Sequence, residues 1–298
     1  MWGRGMAEDR REAPIVLACD VGGTRLRVAR VDPDGVVSGK QAIFTPPDDP
    51  TSLARVLAEA IDGLGGRPSA VVVGIPGPVD YSKGAPLRLP NLPNWEGHIQ
   101  SSLLEAELGI PVVLANDADL AALGEYTYGA GRSSTDMVYV TVSTGVGAGV
   151  VLGGKLVRGR LSLAEIGHTI IDRRSGETVE TLGSGTALGR LSGDDGASVA
   201  ARAAQGDPEA ARQFREVAEN LAIGVFNLAH LFSPDTAVIG GGMSQAGDLL
   251  LGPVRDAFNA CQPGCPAIGV KVVRAEGGDD AGLKGAAALW QEMGSEGR

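Results

Sequence analysis

The chain has 298 residues, of which 43% are hydrophobic and 21% charged, a composition typical of a folded globular protein. Its 36 acidic residues outnumber the 26 basic ones, which gives a net charge of −10, and no basic run stands out. This balance argues against a broad surface for nucleic acid or for an anionic membrane. The three cysteines make no disulfide framework, and no apolar run reaches the roughly 18 residues of a membrane span. We therefore expect a cytoplasmic protein without nucleic-acid or membrane partners.

The first half of the chain alternates predicted strands with predicted helices. Residues 15–19 form an apolar run that predicts a strand, and the alternation after it, with a Pro-Asp-Gly turn, predicts a second one. Ala70–Ile75 and residues 112–115 predict further strands. A helix is predicted after Thr51, because six apolar residues there share one helical face: Leu53, Val56, Leu57, Ala60, Ile61 and Leu64.

The second half continues the same alternation. Met137–Val142 predicts a strand, and Asp207-Pro208 predicts the start of a long helix that runs to about Phe232. Residues 237–239 then predict another strand. His230, on the apolar helix, is predicted to be a core histidine. Such alternation favours an α/β fold whose strands are largely buried.

Two segments of the chain share one form. "LACDVGGTRLRVARVDPDG" near the start and "VTVSTGVGAGVVLGGKL" from Val140 both read as an apolar strand, a Gly/Thr turn and a second strand. Two such units predict a duplicated domain with a cleft between the copies. The alternative is two unrelated glycine-rich hairpins.

The turns of these two units are candidate phosphate-binding loops. In the first, Gly22 and Gly23 let backbone N–H groups approach an anion, and the hydroxyl of Thr24 adds a donor. Thr144 and Gly145 can do the same from the opposite lobe. Since hard cations take carboxylate oxygens, a strand-end aspartate before the first turn can hold Mg²⁺ through water; this residue is Asp20.

A third glycine turn follows a predicted strand and precedes a helix start. It consists of Gly240, Gly241 and Gly242 and allows a flat ligand such as adenine to lie against the backbone. Tight packing of a helix on a strand explains the same pattern equally well. The chain has no Walker loop and no Rossmann glycine motif between a strand and a helix.

Asn116 and Asp117 stand where an apolar strand ends and a helix-like segment begins. At the end of a buried strand, burial of each of these polar side chains costs free energy unless it has a hydrogen-bond partner. One interpretation is a helix cap, a position that both residue types favour. The other is a functional carboxylate held rigidly at the edge of a cleft. Taken alone, this stretch favours the cap.

Eight motifs, taken together in chain order, resemble those of the ROK family of sugar kinases and repressors. They are "DVGGT" (20–24), "GIPGPVD" (74–80), "LPNLPNW" (89–95), "AND" (115–117), "STGVGAGVVLGGKLVRG" (143–159), "EIGH" (165–168), "VIGGG" (238–242) and "DAGLKGAAAL" (280–289). The resemblance implies two actin-like (ribonuclease H-like) α/β lobes with a central cleft. We expect a small lobe at 1–119, joined by a C-terminal helix at 283–298, and a large lobe at 120–282. Family repressors carry an additional N-terminal DNA-binding domain for which this chain has no room, so the kinase branch is favoured.

The resemblance also implies roles for individual residues. Asp117 matches the family's catalytic aspartate and Asn116 its sugar-binding neighbour, which favours the functional reading of this pair. Glu165, His168 and Glu180 match residues that contact sugar hydroxyls. A loop that closes over the sugar is expected to contain Asn91 and Asn94, with Trp95 as its apolar anchor. The implied cofactors are ATP and Mg²⁺, and a homodimer is expected.

One segment departs from the family pattern. Most members follow the Gly-His with a C-x-C-G-x-x-G-C-x-E segment whose cysteines bind zinc together with that histidine. Here the residues between His168 and Glu180 are "TIIDRRSGETV", without cysteine, so we predict no structural zinc. Either the loop is held by other contacts, with Asp172, Arg173 and Arg174 as candidates, or it reshapes the sugar pocket for a different acceptor.

The predicted function is transfer of the γ-phosphate of ATP to a hexose hydroxyl, with Asp117 as general base. The expected acceptor is the 6-OH of glucose or of a glucose-like aminosugar such as kanosamine or glucosamine. Two alternatives stay open: a cyclitol kinase of specialised metabolism, and a non-catalytic sugar-sensing ROK protein. Polyphosphate in place of ATP also stays open.

Overall fold

The computed structural model describes residues 14–63, 66–89, 91–162, 165–261 and 269–296. Leu64 and residues 297–298 of the predicted last helix lie outside these ranges. Within them the chain forms twelve strands: β1 (Val16–Val21), β2 (Arg25–Val31), β3 (Val37–Phe44), β4 (Ala70–Ile75), β5 (Val79–Asp80), β6 (Ala85–Pro86), β7 (Val112–Asn116), β8 (Met137–Val142), β9 (Val146–Leu152), β10 (Lys155–Leu156), β11 (Thr236–Gly240) and β12 (Lys271–Arg274). The α-helices of the same ranges are α1 (Ser52–Gly63), α2 (Ser101–Leu108), α3 (Asp117–Tyr128), α4 (Val179–Gly183), α5 (Gly185–Ser192), α6 (Gly196–Ala204), α7 (Pro208–Phe232), α8 (Asp248–Ala260) and α9 (Ala281–Glu296).

Two five-stranded sheets carry the fold, and their strand orders correspond. The first has the order β3-β2-β1-β4-β7 and the second β10-β9-β8-β11-β12. In each sheet an antiparallel hairpin, β1–β2 or β8–β9, is extended by two parallel strands next to its first member. This repetition agrees with the duplication predicted from the two Gly/Thr segments. The predicted α/β class is confirmed.

The strands and the long helix predicted from the hydrophobic pattern are present at the predicted positions. The strands expected at 15–19, 70–75, 112–115, 137–142 and 237–239 correspond to β1, β4, β7, β8 and β11. Helix α7 begins as predicted, with Pro208 in its first turn. The Oδ1 atom of Asp207 caps it by accepting hydrogen bonds from the N–H groups of Glu209 at 2.9 Å and Ala210 at 3.3 Å.

The prediction for His230 is wrong. Its side chain is exposed near the end of α7, with Nδ1 2.9 Å from the carbonyl oxygen of Phe226 and its ring tilted against the Phe226 ring. The helix is amphipathic, and position 230 falls on its outer face. An apolar sequence neighbourhood therefore did not imply burial of this histidine.

Three apolar clusters stabilise the fold. One lies between the first sheet and helices α1 and α2, and a second between the second sheet and helices α7 and α8. The third joins the facing sides of both sheets to α3 and α9. Helix α9 contacts α3, β1, β2 and β4, while α3 contacts strands of both sheets. Because α3 touches both sheets, a boundary between lobes at residue 119 stays a prediction.

No helix in the described ranges is both long enough and apolar enough to cross a membrane.

Candidate active site

Three adjoining cavities open along the carboxyl ends of the central strands. The acidic cavity, of about 330 Å³, is lined by Asp117, Glu165, His168 and Glu180 among others. The glycine cavity, of about 300 Å³, is lined by glycines 22, 23, 241, 242, 278 and 282 together with Asp20, Arg27 and others. The apolar cavity, of about 660 Å³, is lined by side chains that include Ala200, Phe214 and Met243. Ser143 lines all three cavities, so they form one continuous cleft.

Asp117 lies where the acidic and glycine cavities meet, because it lines both. It is the first residue of α3, and its Oδ1 accepts a hydrogen bond of 2.9 Å from the N–H of Ala118. Burial raises the pKa of its carboxyl to about 7, and the negative charge of Asp20 adds to the effect. A carboxyl with this pKa is half ionised near neutral pH, which suits a group that exchanges a proton with a ligand.

Asn116 caps helix α3. Its Oδ1 accepts hydrogen bonds from the N–H groups of Ala118 at 2.9 Å and Asp119 at 3.0 Å, and its Nδ2 donates to the carbonyl of Gly77 at 3.0 Å. The cap interpretation is therefore correct for Asn116, although the residue also lines the acidic cavity. The cap fixes the backbone from which Asp117 projects.

Glu165 and Glu180 lie on the acidic cavity from different elements. Glu165 precedes a short 3-10 turn that ends at His168, whose Nε2 lies 3.9 Å from the Oε2 of Glu165. Burial raises the pKa of the Glu165 carboxyl above its usual range. The Oε2 of Glu180, on α4, accepts a hydrogen bond of 2.8 Å from the N–H of Val146. A Cβ at position 145 would lie 2.4 Å from this oxygen, so the close approach requires Gly145.

Asp20 and Arg27 form an ion pair on the wall of the glycine cavity. Nε of Arg27 donates to Oδ2 of Asp20 at 3.0 Å, and the Nη2 of the same arginine donates to the same oxygen. The two residues are direct partners in the β1–β2 ladder. Sequence reasoning missed Arg27, although the register of a hairpin with its turn at 22–24 pairs it with Asp20 and could have revealed it.

Two other predicted ligands, Thr24 and Gly240, are not part of the cavity linings. Thr24 is exposed in the turn, and its carbonyl accepts a hydrogen bond from the N–H of Thr45 at 3.0 Å. Gly240 ends β11 in the core, where an added Cβ would lie 2.3 Å from the Oη of Tyr139. Close packing on Tyr139 therefore explains this glycine, whereas Gly241 and Gly242 do line the glycine cavity.

The 91–95 segment is anchored as predicted but contributes only one of its asparagines. Trp95 is fully buried, and its Nε1 donates to the carbonyl of Pro46 at 3.1 Å. Asn91 lines both the acidic and the glycine cavities. Asn94 is exposed, and its Nδ2 donates to Asp48 at 2.8 Å instead. The structure therefore does not bring Asn94 to the cleft.

A hydrogen-bonded pair, the half-buried Tyr81 and the buried Asp119, was also not predicted from the sequence. The hydroxyl of Tyr81 donates to Oδ2 of Asp119 at 2.6 Å and accepts a hydrogen bond from the N–H of Asn116 at 3.2 Å. Asp119 is completely buried, and burial raises the pKa of its carboxyl to about 7. No short motif marks this pair, because its members are far apart in sequence and meet only in the fold.

Replacing Tyr81 with phenylalanine is expected to lower the free energy of unfolding at about pH 8 by roughly 2–3 kcal/mol, because a buried carboxylate and a backbone N–H lose their partner. Denaturant titration followed by circular dichroism measures this change. The matched control is Tyr128→Phe, since that hydroxyl donates to the carbonyl of Pro33 at 2.9 Å from a half-buried position. Equal losses in the two variants would contradict the structural role of the Tyr81–Asp119 pair.

The segment that replaces the family's zinc loop is closed by its own hydrogen bonds. Ile170 and Thr178 form a β-bridge, and Asp172 closes the turn by accepting hydrogen bonds from the N–H of Arg174 and the hydroxyl of Ser175, both at 2.8 Å. Arg190 of α5 donates to the carbonyl oxygen of Thr181 at 2.6 Å. Asp172 was among the residues expected to hold this loop.

The described residues contain no group of three His, Cys, Asp or Glu side chains arranged to hold a metal. Because the segment between His168 and Glu180 contains no cysteine, we expect purified protein to carry far less than stoichiometric zinc, and a chelator such as EDTA to leave its Tm unchanged. Elemental analysis and thermal unfolding before and after chelation test this. Stoichiometric zinc whose removal lowers the Tm would overturn the prediction.

The chain is similar to known proteins over nearly its whole length. The ROK family model matches residues 16–293. The glucokinase of Streptomyces coelicolor is 31% identical to this chain over an alignment of 312 residues, which covers 93% of this chain and 98% of the relative. The N-acetylmannosamine kinase of Shigella flexneri is 33% identical over 290 residues, covering 93% of this chain and 98% of the relative.

One solved structure shares the fold of this chain over almost the whole length of both proteins. It is a ROK family glucokinase from Streptomyces griseus in complex with glucose and AMPPNP. It matches with a TM-score of 0.81 and 33% identity, covering 92% of this chain and 98% of that one. Together with the two corresponding sheets, this likeness confirms the predicted two-lobed, actin-like fold. The chain belongs to the ROK family.

Proposed function

We propose that the protein is an ATP-dependent sugar kinase that transfers the γ-phosphate to a hexose hydroxyl. The observation that carries the proposal is the position of Asp117, whose carboxyl lines both the acidic and the glycine cavities. A kinase needs a carboxylate at this place, between an acceptor hydroxyl and a row of phosphates. The relatives that are glucokinases and N-acetylmannosamine kinases support the same reaction class.

On the acceptor side, Asp117 orients a sugar hydroxyl and takes its proton. The hydroxyl oxygen forms a bond to the γ-phosphorus as the bond from that phosphorus to the bridging oxygen of ADP breaks. Glu165, His168 and Glu180 bind the remaining ring hydroxyls, with Asn91 at the border to the phosphates. Asn116 holds the helix start that aims Asp117. Thr24, Asn94 and Gly240 line none of the three cavities and have no part in the proposed contacts.

On the donor side, the phosphates lie in the glycine cavity against Gly22 and Gly23, with Arg27 supplying positive charge. Thr144 and Gly145 line the adjoining acidic cavity and would reach the phosphates only where the two cavities meet. Adenosine extends past Gly241 and Gly242 into the apolar cavity, whose lining suits a flat, largely apolar ring. The co-crystallised AMPPNP of the Streptomyces griseus relative supports a nucleotide as donor.

The carboxylates of the glycine cavity fit Mg²⁺. Both hydrogen bonds from Arg27 end on Oδ2 of Asp20, and Asp117 lines the same cavity. Mg²⁺ usually binds one or two carboxylates and completes its shell with phosphate oxygens and water, and this donor set matches that habit. We propose that Asp20 holds Mg²⁺ through water and that the ion neutralises phosphate charge when bound.

The acidic cavity favours an acceptor without negative charge. Its described lining contains three carboxylates, those of Asp117, Glu165 and Glu180, and neither lysine nor arginine. Such a wall binds hydroxyl or ammonium donors and repels a sugar phosphate. We propose the 6-OH of glucose or of a glucose-like aminosugar such as glucosamine or kanosamine as the acceptor. The loop at 169–179, which differs from the family's zinc segment, makes a cyclitol the alternative.

The test is an assay of ADP release with Mg-ATP across glucose, mannose, glucosamine, N-acetylmannosamine, kanosamine and cyclitols. We expect turnover with glucose or a glucose-like aminosugar, and product analysis should place the phosphate on the 6-oxygen. Turnover only with a cyclitol would select the alternative acceptor. Sugar binding in calorimetry without ADP release would support a sugar-sensing protein and overturn the kinase proposal. Turnover with polyphosphate but not with ATP would overturn the assignment of ATP as the phosphate donor.

A further inference from the structure

Glu125 is a completely buried carboxylate near the carboxyl end of α3. Its two oxygens accept three backbone hydrogen bonds: Oε2 from Ala130 at 2.9 Å and Glu276 at 3.0 Å, and Oε1 from Gly277 at 2.6 Å. A buried acid is costly, and a negative charge near the last turn of a helix opposes the helix dipole. Helix stability therefore does not explain this residue, and its partners must.

Two of those partners belong to the segment that borders the glycine cavity. Glu276 and Gly277 lead into Gly278 and Asp279, which line that cavity, and then into the start of α9. The fit is close: an added Cβ at Gly277 would lie 2.8 Å from Oε1 of Glu125.

The other side-chain attachments of the segment, from Arg27, Lys40 and Arg132, are more exposed than Glu125. Nη1 of Arg27 donates to the carbonyl oxygen of Asp279 at 3.2 Å. Lys40 pairs with Asp280 at 2.5 Å and Arg132 with Glu276 at 2.6 Å, with both cations well exposed to solvent. Exposed ion pairs contribute little to stability, whereas charge-assisted bonds to a buried carboxylate are among the strong ones. Glu125 is therefore the principal attachment of residues 276–277 to α3.

The same helix carries Asp117 at its other end. Eight residues separate the two acids, a distance of about 12 Å along a helix axis. We propose that Glu125 is a positioning residue for the nucleotide side of the cleft: it ties residues 276–277, and through them Gly278 and Asp279 of the glycine cavity, to the helix that carries Asp117. The inference rests on the proposed kinase function, because it assigns the glycine cavity to the phosphates of ATP.

The test variant is Glu125→Gln, which keeps the shape of the side chain but replaces one acceptor oxygen with an NH₂ group that faces N–H donors. We expect the Kd of AMPPNP with Mg²⁺ to rise about tenfold, equivalent to about 1.4 kcal/mol, while the Kd of the accepted sugar changes little. Titration calorimetry on the full chain measures both constants. Hydrogen exchange at the amides of residues 276 and 277 should accelerate in the same variant.

The matched control is Glu276→Gln, which makes the same chemical change in the same segment but removes only the exposed pair with Arg132. Its nucleotide affinity should stay at the wild-type value. If Glu125→Gln folds poorly, Gly277→Ala tests the same contact from the loop side. Its backbone conformation, φ −72° and ψ −17°, is open to alanine, and the new Cβ would crowd Oε1 of Glu125 at 2.8 Å and the Cβ of Ala281 at 3.0 Å.

A folded Glu125→Gln or Gly277→Ala variant with wild-type nucleotide affinity would overturn the inference. So would parallel losses of nucleotide and sugar affinity, since these would indicate a general structural role. A wild-type chain that binds no nucleotide would instead refute the proposed function, and the inference with it. Turnover by the wild type together with unchanged affinity in the variants would refute the inference alone.

Discussion

Replacing Asp117 with asparagine is expected to lower kcat by about a thousandfold, within the range that general acid–base catalysis contributes. Asparagine keeps the shape of the side chain and an oxygen for the N–H of Ala118, but it cannot take the proton of the acceptor hydroxyl. Sugar affinity should stay near the wild-type value, because Glu165, His168 and Glu180 remain. Initial rates of ADP release and sugar titration calorimetry provide the two measurements.

Loss of folding cannot imitate this result. Burial raises the pKa of Asp117 to about 7, so native-state stability falls as the pH rises from the ordinary aspartate pKa of about 4 to about 7. The full cost is present at pH 8, and a neutral amide removes it. The variant should therefore unfold at a Tm no lower than that of the wild type at about pH 8. Asp248→Asn is the matched control, since that side chain is 93% exposed on α8 and should leave kcat unchanged. Near-normal turnover by the Asp117 variant would remove this residue from the catalytic role.

The sheet architecture was accessible from the sequence because its signals are local. Buried strands such as Ala70–Ile75 and Met137–Val142 are continuous apolar runs, and the cap of α7 is an Asp-Pro step. The repeated strand–turn–strand pattern gave the duplication. Which face of α7 points outward depends on the packing of the whole lobe, and for that reason His230 was misplaced.

The predictions for the site residues divide in the same way. Residues fixed by a motif at a strand end, such as Asp20, Gly22 and Asp117, line the cleft as expected. Residues whose direction depends on a loop were less predictable, and Asn94 turns to Asp48 instead.

Hydrogen-bond partners that are distant in sequence left no local sequence pattern from which they could be predicted. The pairing of Tyr81 with Asp119 joins positions 38 residues apart, and Glu125 meets Gly277 from 152 residues away. Only the three-dimensional packing shows why these polar groups are tolerated in the interior.

The pH dependence of the reaction should show an acid limb with its midpoint near pH 7. Burial, followed by repulsion from the charge of Asp20, raises the pKa of Asp117 to about 7. Only the ionised carboxylate can accept a proton, so kcat/KM for the sugar should fall about tenfold per pH unit below the midpoint and level off above it. Rates between about pH 5 and pH 9, at constant ionic strength, measure the profile.

Substitutions can show which residue causes the acid limb of the pH profile. Asp20→Asn removes the nearby negative charge and releases the guanidinium of Arg27, and both changes favour the ionised form of Asp117. The midpoint should therefore move to lower pH, even if Mg-ATP binds more weakly. Asp117→Asn should show residual activity without the limb. A limb that survives in Asp117→Asn would identify another titrating group, with Glu165 a candidate because burial raises its pKa on the same cavity. A wild-type midpoint near 4 would show that Asp117 is solvated in the working enzyme.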